Sequence, residues 1–230
     1  MEQVTGTFPG HAIPGTVFMV WGLWWFIGTL RFHRQQPGPW EPRGYISLIE
    51  VYAKAGLPVI AIVYELWWAG WVLTDSSIIN YQHATMYLCF SLAGLTDLQV
   101  ARKHLPSYAG HVALAAAFLV VTLVFAGHSN APGLAQAVHR LLVWVILAII
   151  AVLFLEVRYR HVSFSIMRSF LMLLLGTWLW NIAYLLYASD LDPFAHPSVM
   201  LAHLVFAWHI VILAILLFTV YRRTANHRGT

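Results

Sequence analysis

The sequence predicts an all-α integral membrane protein, a bundle of seven transmembrane helices. The 230 residues are 60% hydrophobic and only 10% charged, whereas soluble domains carry about 25% charged residues. Long apolar runs recur along the chain, separated by short polar segments that contain Pro, Gly or Ser. A chain of this length cannot bury so much apolar surface in its own core, so we expect a bilayer to cover it.

A helix needs about 20 mostly apolar residues to cross a bilayer. Seven runs of this kind lie at 13–32, 55–74, 83–101, 109–127, 139–157, 168–188 and 199–221. They form one membrane domain, 1–230. The first run has no basic segment before it and no convincing cleavage site, which predicts a retained helix rather than a signal peptide. The single cysteine, Cys89, excludes an internal disulfide and a cysteine-based zinc site.

Short polar segments separate the predicted spans. RQQPGPWEPRG (34–44) ends the first span, and RGYISLIEVYAKAG predicts a helix that starts before Pro58. The later breaks are TDSSIINYQ (74–82), RKHLPS (102–107), HSNAPG (128–133), RYRHVS (158–163) and SDLDPFAHPS (189–198). No internal repeat and no soluble domain is apparent in this pattern.

The basic residues predict the orientation. Of the thirteen Lys and Arg residues, only Arg140 falls on the side where the first span begins. Since cytoplasmic loops carry the excess of Lys and Arg, the N-terminus is predicted outside or lumenal and the C-terminus cytoplasmic. The net charge of +4 is therefore a topology signal and not a nucleic-acid footprint, because no basic face stands apart from the membrane ends.

Histidines collect on the outer side. The set is His11, His83, His128 and His139 at span ends, and His209 ten residues, or about 15 Å, into the seventh span. Glu65 lies at a similar depth in the second span, whereas His203 points in a different direction from His209. We interpret Pro9 and Pro14 as a turn that directs His11 over the bundle.

Clustered imidazoles suit a transition metal, and catalytic zinc sites use three His or carboxylate ligands plus water. We therefore predict a zinc site with His11, His83, His128, His139 and His209 as candidate ligands, not all at once, and Glu65 as ligand or general base. The chemistry would be metal-assisted hydrolysis of a small-molecule or lipid substrate. No HxxxH or HExxH motif is present, and each histidine alone is explained as well by a hydrogen bond to a carbonyl group or water.

Three alternatives remain open. The first is a transporter or proton relay that uses Glu65, His209, Asn181 and Tyr184, together with a polar stripe on span three: His83, Tyr87, Ser91, Gly94 and Asp97. The second is haem bound by two histidines. The third is a non-catalytic scaffold in contact with membrane lipids. For Asp97 and Glu156 we expect structural ion pairs with arginines at the cytoplasmic end, and for the tryptophans a place in the core or in the interfacial belts. The oligomeric state is left open.

Several segments resemble one family. In order they are GHAIPGTVFMVWGLWW, HATMYLCFSLAGLTDL, VHRLLVWVILAIIAVLFLEV, MRSFLMLLLGTWLWNIAYLLY and FAWHI, and they resemble the transmembrane protein 45 family, the membrane domain of unknown function 716. The resemblance implies a seven-helix multi-pass protein without a settled activity. It matches His11, His83, His139 and His209 to recurrent family histidines, and His128 more loosely. Short loops and only two lysines suit a bacterial member in the cell membrane.

Overall fold

The computed structural model describes residues 6–35, 48–128 and 132–226, with side chains described for 6–32, 48–126 and 132–224. The predicted ligand His128 therefore has its side chain outside the described residues, and so does most of the break predicted at 34–44. Seven α-helices account for nearly all of the described chain: α1 (Phe8–Gln35), α2 (Leu48–Trp68), α3 (Ile78–Ala101), α4 (Ala109–His128), α5 (Leu134–Tyr159), α6 (Val162–Tyr187) and α7 (His196–Asn226).

The seven predicted spans each correspond to one helix, which confirms the fold class. Five of these helices, α1 and α4 to α7, are long and apolar enough to cross a membrane by length and composition. The other two, α2 and α3, carry Glu50, Lys54 and Asp97 in the interior of the protein, which lowers their apolar character. The protein is a multi-pass membrane protein.

Most helices extend beyond the predicted spans. The apolar run of the first span starts at Ile13, but α1 starts at Phe8, so His11 and Pro14 lie inside a continuous helix. The predicted turn at Pro9 and Pro14 is therefore wrong. Pro9 lies in the first helical turn, where a proline costs no hydrogen bond, and α1 continues through Pro14 without the N–H group that would donate to Gly10. The second span was placed several residues too late, because α2 begins with the polar residues near Leu48 and ends at Trp68.

The helices form an incomplete ring with α1 out of chain order. Going around the ring, α2, α3, α4, α5 and α6 are neighbours in sequence order, and α1 packs along α6. The last helix, α7, lies outside the ring against α5 and α6. Phe18 of α1, Phe90 of α3 and Phe118 of α4 fill the middle, with ring centroids 5.8 Å apart for Phe18–Phe90 and 5.2 Å for Phe90–Phe118.

Glycines allow α1 and α6 to approach closely. A Cβ atom built on Gly176 would lie 2.6 Å from both the carbonyl oxygen of Gly15 and the amide nitrogen of Met19, and one on Gly22 would lie 2.7 Å from the amide nitrogen of Leu173. Small residues of this kind drive helix packing in membranes, where lipid supplies no hydrophobic force between helices. This contact fixes α1, and with it His11, relative to α6.

The polar stripe of α3 faces α2. Ser91 donates a hydrogen bond to the carbonyl oxygen of Ala55 at 2.7 Å, and Gly94 lies against the backbone of Lys54 and Ala55. Asp97 receives the ammonium group of Lys54 at 2.8 Å. The stripe is therefore inside the bundle as predicted, and it serves to pack α2 on α3.

Candidate metal centre

Two of the predicted ligands meet at the outer end of the bundle, the end at which α1 begins. His11 of α1 and His139 of α5 are both buried, with 7% and 6% of their surface exposed. Their Nε2 atoms lie 3.4 Å apart, and their ring centroids are 5.6 Å apart. The first turn of α1 and the first turns of α5 thus bring two imidazoles from distant parts of the sequence into direct contact.

The other ring nitrogen of each histidine fixes its tautomer. His11 Nδ1 lies 3.1 Å from the carbonyl oxygen of Thr7, and His139 Nδ1 lies 2.8 Å from that of Ala135. A carbonyl oxygen only accepts, so both Nδ1 atoms carry a hydrogen and donate it. In the neutral imidazoles both Nε2 atoms are then acceptors, so the 3.4 Å contact between them calls for a proton or a cation.

The same backbone bond occurs elsewhere, so it does not identify a site alone. His203 Nδ1 donates to Val199 at 2.8 Å, and His209 Nδ1 donates to Val205 at 2.9 Å. His203 is exposed. His209 Nε2 accepts a hydrogen bond from Asn181 at 2.9 Å. What distinguishes His11 and His139 is that each Nε2 faces the other.

Aromatic groups surround the pair. The ring of Tyr187, at the end of α6, lies 5.5 Å from that of His11, and the ring of Phe125 lies 6.0 Å from that of His139. Gly6 has φ +123°, and a Cβ there would lie 2.5 Å from the Tyr187 hydroxyl and 3.3 Å from His11 Cε1. Only glycine allows the chain before α1 to pass this close to both side chains.

A second pair lies across the outer end on α2 and α3. His83 Nδ1 donates to Glu65 Oε1 at 3.1 Å, and Asn80 donates to Glu65 Oε2 at 2.7 Å. Their side chains are 22% exposed for His83 and 14% for Glu65. The predicted residues therefore form two pairs, His11–His139 and Glu65–His83, at one end of the bundle.

Within the described parts of the chain, no group of three His, Cys, Asp or Glu side chains is placed to hold a metal ion. Both ring nitrogens of His209 already hold hydrogen bonds, so a metal there would require Asn181 to withdraw. Sequence reasoning missed Asn80 and Tyr187 as partners of these side chains. The sequence did contain an indication for Asn80, because Asn80 lies three residues, about one helical turn, before His83 and therefore on the same face of α3.

The inner half of the bundle holds buried charges. Glu156 is ion-paired with Arg168 at 2.8 Å, as predicted, and it also accepts a hydrogen bond from Ser165. Asp97 is paired with Lys54 instead of the arginine that we predicted, because α2 packs on α3 and brings Lys54 alongside. Lys54 is also 3.1 Å from Glu50. The i,i+4 spacing of Glu50 and Lys54 was the available signal.

Three tryptophans of α1 contact the same carboxylate. Trp25 donates to Glu50 at 2.6 Å, Trp24 at 3.1 Å and Trp21 at 3.4 Å. Lys54 lies over the rings of Trp21 and Trp25, with its Nζ 5.2 Å and 5.0 Å from their centroids. These tryptophans thus carry hydrogen bonds and cation–π contacts that the prediction of core or belt positions did not include.

The second half of the chain matches a known protein family. Residues 108–222, from the start of α4 into α7, match the family described as "Family of unknown function (DUF716)". The chain belongs to this family. A relative that extends the likeness into the N-terminal half is Transmembrane epididymal protein 1 of Rattus norvegicus, which is 24% identical over 252 aligned positions, covering 94% of this chain and 80% of the relative. The family assignment confirms the resemblance seen in the sequence motifs.

Proposed function

We propose that this multi-pass membrane protein binds a zinc ion between His11 and His139 at the outer end of the bundle. The observation that supports this most directly is the 3.4 Å between their Nε2 atoms. Two nitrogens that each lie 2.0–2.1 Å from a tetrahedral zinc ion are separated by about 3.3–3.4 Å. The two acceptor nitrogens thus have the spacing that a shared zinc ion requires.

The backbone bonds of the two histidines also support the proposal. Metal-bound histidines almost always donate their other ring N–H to a carbonyl, carboxylate or water, which orients the ring. Thr7 and Ala135 supply such carbonyl groups.

The third ligand in this proposal is His83. Its Nδ1–H donates to Glu65, the carboxylate–histidine arrangement typical of zinc ligands. Zinc binding would draw His83 toward the His11–His139 pair, since the described residues do not yet form a three-ligand group. Glu65 then orients His83, and Asn80 orients Glu65.

Three histidines leave the fourth tetrahedral position to water. Zinc-bound water is a nucleophile near neutral pH, and the reaction that follows from such a centre is hydrolysis of an ester or amide bond. When bound, the ion would supply a water activated for such a hydrolysis, with His11, His139 and His83 holding the ion and Glu65 orienting His83.

The facing nitrogens favour a second candidate, a proton relay in which His11 and His139 share one proton. The polar stripe of α3 supports this relay less than its sequence indicated, because Ser91, Gly94 and Asp97 are engaged with α2. The two candidates differ in one measurable respect, since only the first needs a metal.

The test is the zinc content of the purified protein, measured by inductively coupled plasma mass spectrometry. Wild type should carry about one zinc ion per chain, and His139→Ala and His11→Ala should each lose most of it. The matched control is His203→Ala, since His203 makes the same backbone hydrogen bond on an exposed face. Circular dichroism checks that each variant keeps its helices.

Zinc that is absent from wild type grown with added zinc, or equal in His139→Ala and His203→Ala, contradicts the metal centre. In that case, proton flux in proteoliposomes that disappears in His139→Ala supports the relay. Flux that is unchanged contradicts the relay as well.

A further inference from the structure

The surface of the inner end carries exposed cations but, in the described parts of the chain, no exposed carboxylate. The three described acidic residues of this end are buried in ion pairs with Lys54 and Arg168: Glu50, Asp97 and Glu156. The exposed acidic residues of the described chain lie in the outer connections: Asp75, Asp190 and Asp192. The exposed cations of the inner end therefore have no described carboxylate to neutralise them.

Four exposed arginines lie at the inner ends of two neighbouring helices. Helices α5 and α7 both run from the outer end to the inner end, and they pack on each other. Arg158 and Arg160 lie at the end of α5, and Arg222 and Arg223 lie near the end of α7. All four side chains are exposed, and none of them forms an ion pair with a carboxylate of the described residues.

A backbone hydrogen bond sets α5 and α7 in register at their outer ends. Leu134, the first residue of α5, donates its N–H to the carbonyl oxygen of Pro193 at 2.8 Å, and Pro193 lies just before the start of α7. At 1.5 Å per residue, Arg158 lies about 36 Å along α5 from Leu134, and Arg222 lies about 39 Å along α7 from His196. The four arginines therefore lie at nearly the same depth, and we call them the arginine layer.

Two arginines of this layer lie against exposed aromatic rings. The guanidinium carbon of Arg158 is 5.3 Å from the ring centroid of Tyr159, and that of Arg222 is 5.9 Å from the ring centroid of Phe218. The two aromatic residues are 59% and 61% exposed. At a membrane interface such rings lie at the boundary of the acyl chains, and arginine side chains extend to the phosphates. Tyr159 and Phe218 therefore place the arginine layer at the level of the lipid headgroups.

We propose that the arginine layer binds the headgroup of an anionic lipid in the inner leaflet. A guanidinium group donates two parallel hydrogen bonds to phosphate oxygens and stays charged at every physiological pH. The excess of Lys and Arg predicts that this leaflet is the cytoplasmic one, which is where anionic lipids attract basic segments. The ammonium group of a zwitterionic lipid is repelled by neighbouring arginines, so the layer selects lipids with a net negative charge. This inference does not depend on the metal centre, which lies at the opposite end of the bundle.

The experiment is native mass spectrometry of the delipidated protein in detergent, titrated with phosphatidylglycerol or with phosphatidylcholine of the same acyl chains. Wild type should bind phosphatidylglycerol more tightly than phosphatidylcholine. The double variant Arg158→Gln/Arg222→Gln should bind phosphatidylglycerol about 30-fold more weakly, which corresponds to about 2 kcal/mol for two arginines. The matched control is Arg102→Gln/Lys103→Gln, which removes the same charge from exposed positions at the inner end of α3, where α3 packs on α2 and α4.

A second double variant, Arg160→Gln/Arg223→Gln, guards against a folding defect in the first. It removes the other two arginines of the layer and should also weaken phosphatidylglycerol binding more than the control does. Equal weakening in the control and in both test variants shows a general effect of surface charge and overturns the site. Equal binding of the two lipids to wild type overturns it as well. Inorganic phosphate at the lipid concentration should not displace the lipid, and displacement would overturn a lipid as the occupant.

Discussion

The substitution Gly176→Ala tests whether the close contact of α1 with α6 positions the outer site. The new Cβ atom would lie 2.6 Å from the carbonyl oxygen of Gly15 and from the amide nitrogen of Met19. Both are backbone atoms, so no side-chain rotation relieves the clash. Ordinary contact begins near 3.4 Å, and α1 must therefore retreat by about 0.8 Å at this level.

The expected cost follows from two opposing terms. Overpacking a tight interior site destabilises a protein by about 1–3 kcal/mol. Replacing a helical glycine by alanine stabilises it by about 0.5–1 kcal/mol, because the unfolded chain loses backbone entropy. The difference is a destabilisation of about 0–2.5 kcal/mol, and the two backbone contacts at 2.6 Å favour the upper half of that range, about 1–2 kcal/mol. For a protein of this size it lowers the melting temperature by about 2–4 °C for each kcal/mol.

The assay is thermal unfolding followed by size-exclusion chromatography with fluorescence detection, together with zinc content. Gly56→Ala is the control, because a Cβ on Gly56 meets no atom within 4 Å. We expect Gly56→Ala to keep or raise the melting temperature and to keep zinc. Gly176→Ala should lower both, since moving α1 moves His11 away from His139. A melting temperature that is the same in both variants would refute the role given to the glycine contact.

Two further predictions concern the buried polar groups. Lys54→Met leaves Glu50 and Asp97 without their shared ammonium group, and breaking a buried ion pair costs about 3–5 kcal/mol. Resistance to unfolding in sodium dodecyl sulfate should fall sharply, whereas Arg102→Met at an exposed position should leave it unchanged; equal resistance would show that the ion pairs contribute little. Asn80→Leu removes the N–H group that holds Glu65, and loss of such an outer partner typically weakens metal binding by about 10–100-fold. A zinc-chelator competition should show this loss, and Asn181→Leu, which acts on His209 instead, should not.

The fold was predictable because the bilayer imposes it. Seven apolar runs of the required length leave little choice except seven helices, and each run has its helix. Helix ends were less predictable, because hydropathy marks where lipid contact ends, whereas the hydrogen-bonded helix continues through polar residues such as those at the start of α2. The true bounds of α1 depended on Pro9 and Pro14 being compatible with a helix.

The sequence predicted which end of the bundle the candidate residues occupy, but it did not predict which side chains they contact. Topology placed His11, His83 and His139 at one end, and the structure keeps them there. That His11 meets His139, and that His83 meets Glu65, follows from the position of α1 beside α6 and from the α2–α3 packing. Neither arrangement is encoded in local spacing. For the same reason Asp97 was assigned an arginine although Lys54 lies next to it.

The placement of α1 against α6 also has a consequence for biogenesis. Thr16 of α1 accepts a hydrogen bond from Trp180 of α6, 164 residues later in the chain. At about 5–20 residues per second, ribosomes need roughly 10–30 s to synthesise that interval. During this time the glycine face of α1 lies in the membrane or at the translocation machinery without its permanent partner. Helix α1 is therefore synthesised well before the helix that holds it in place.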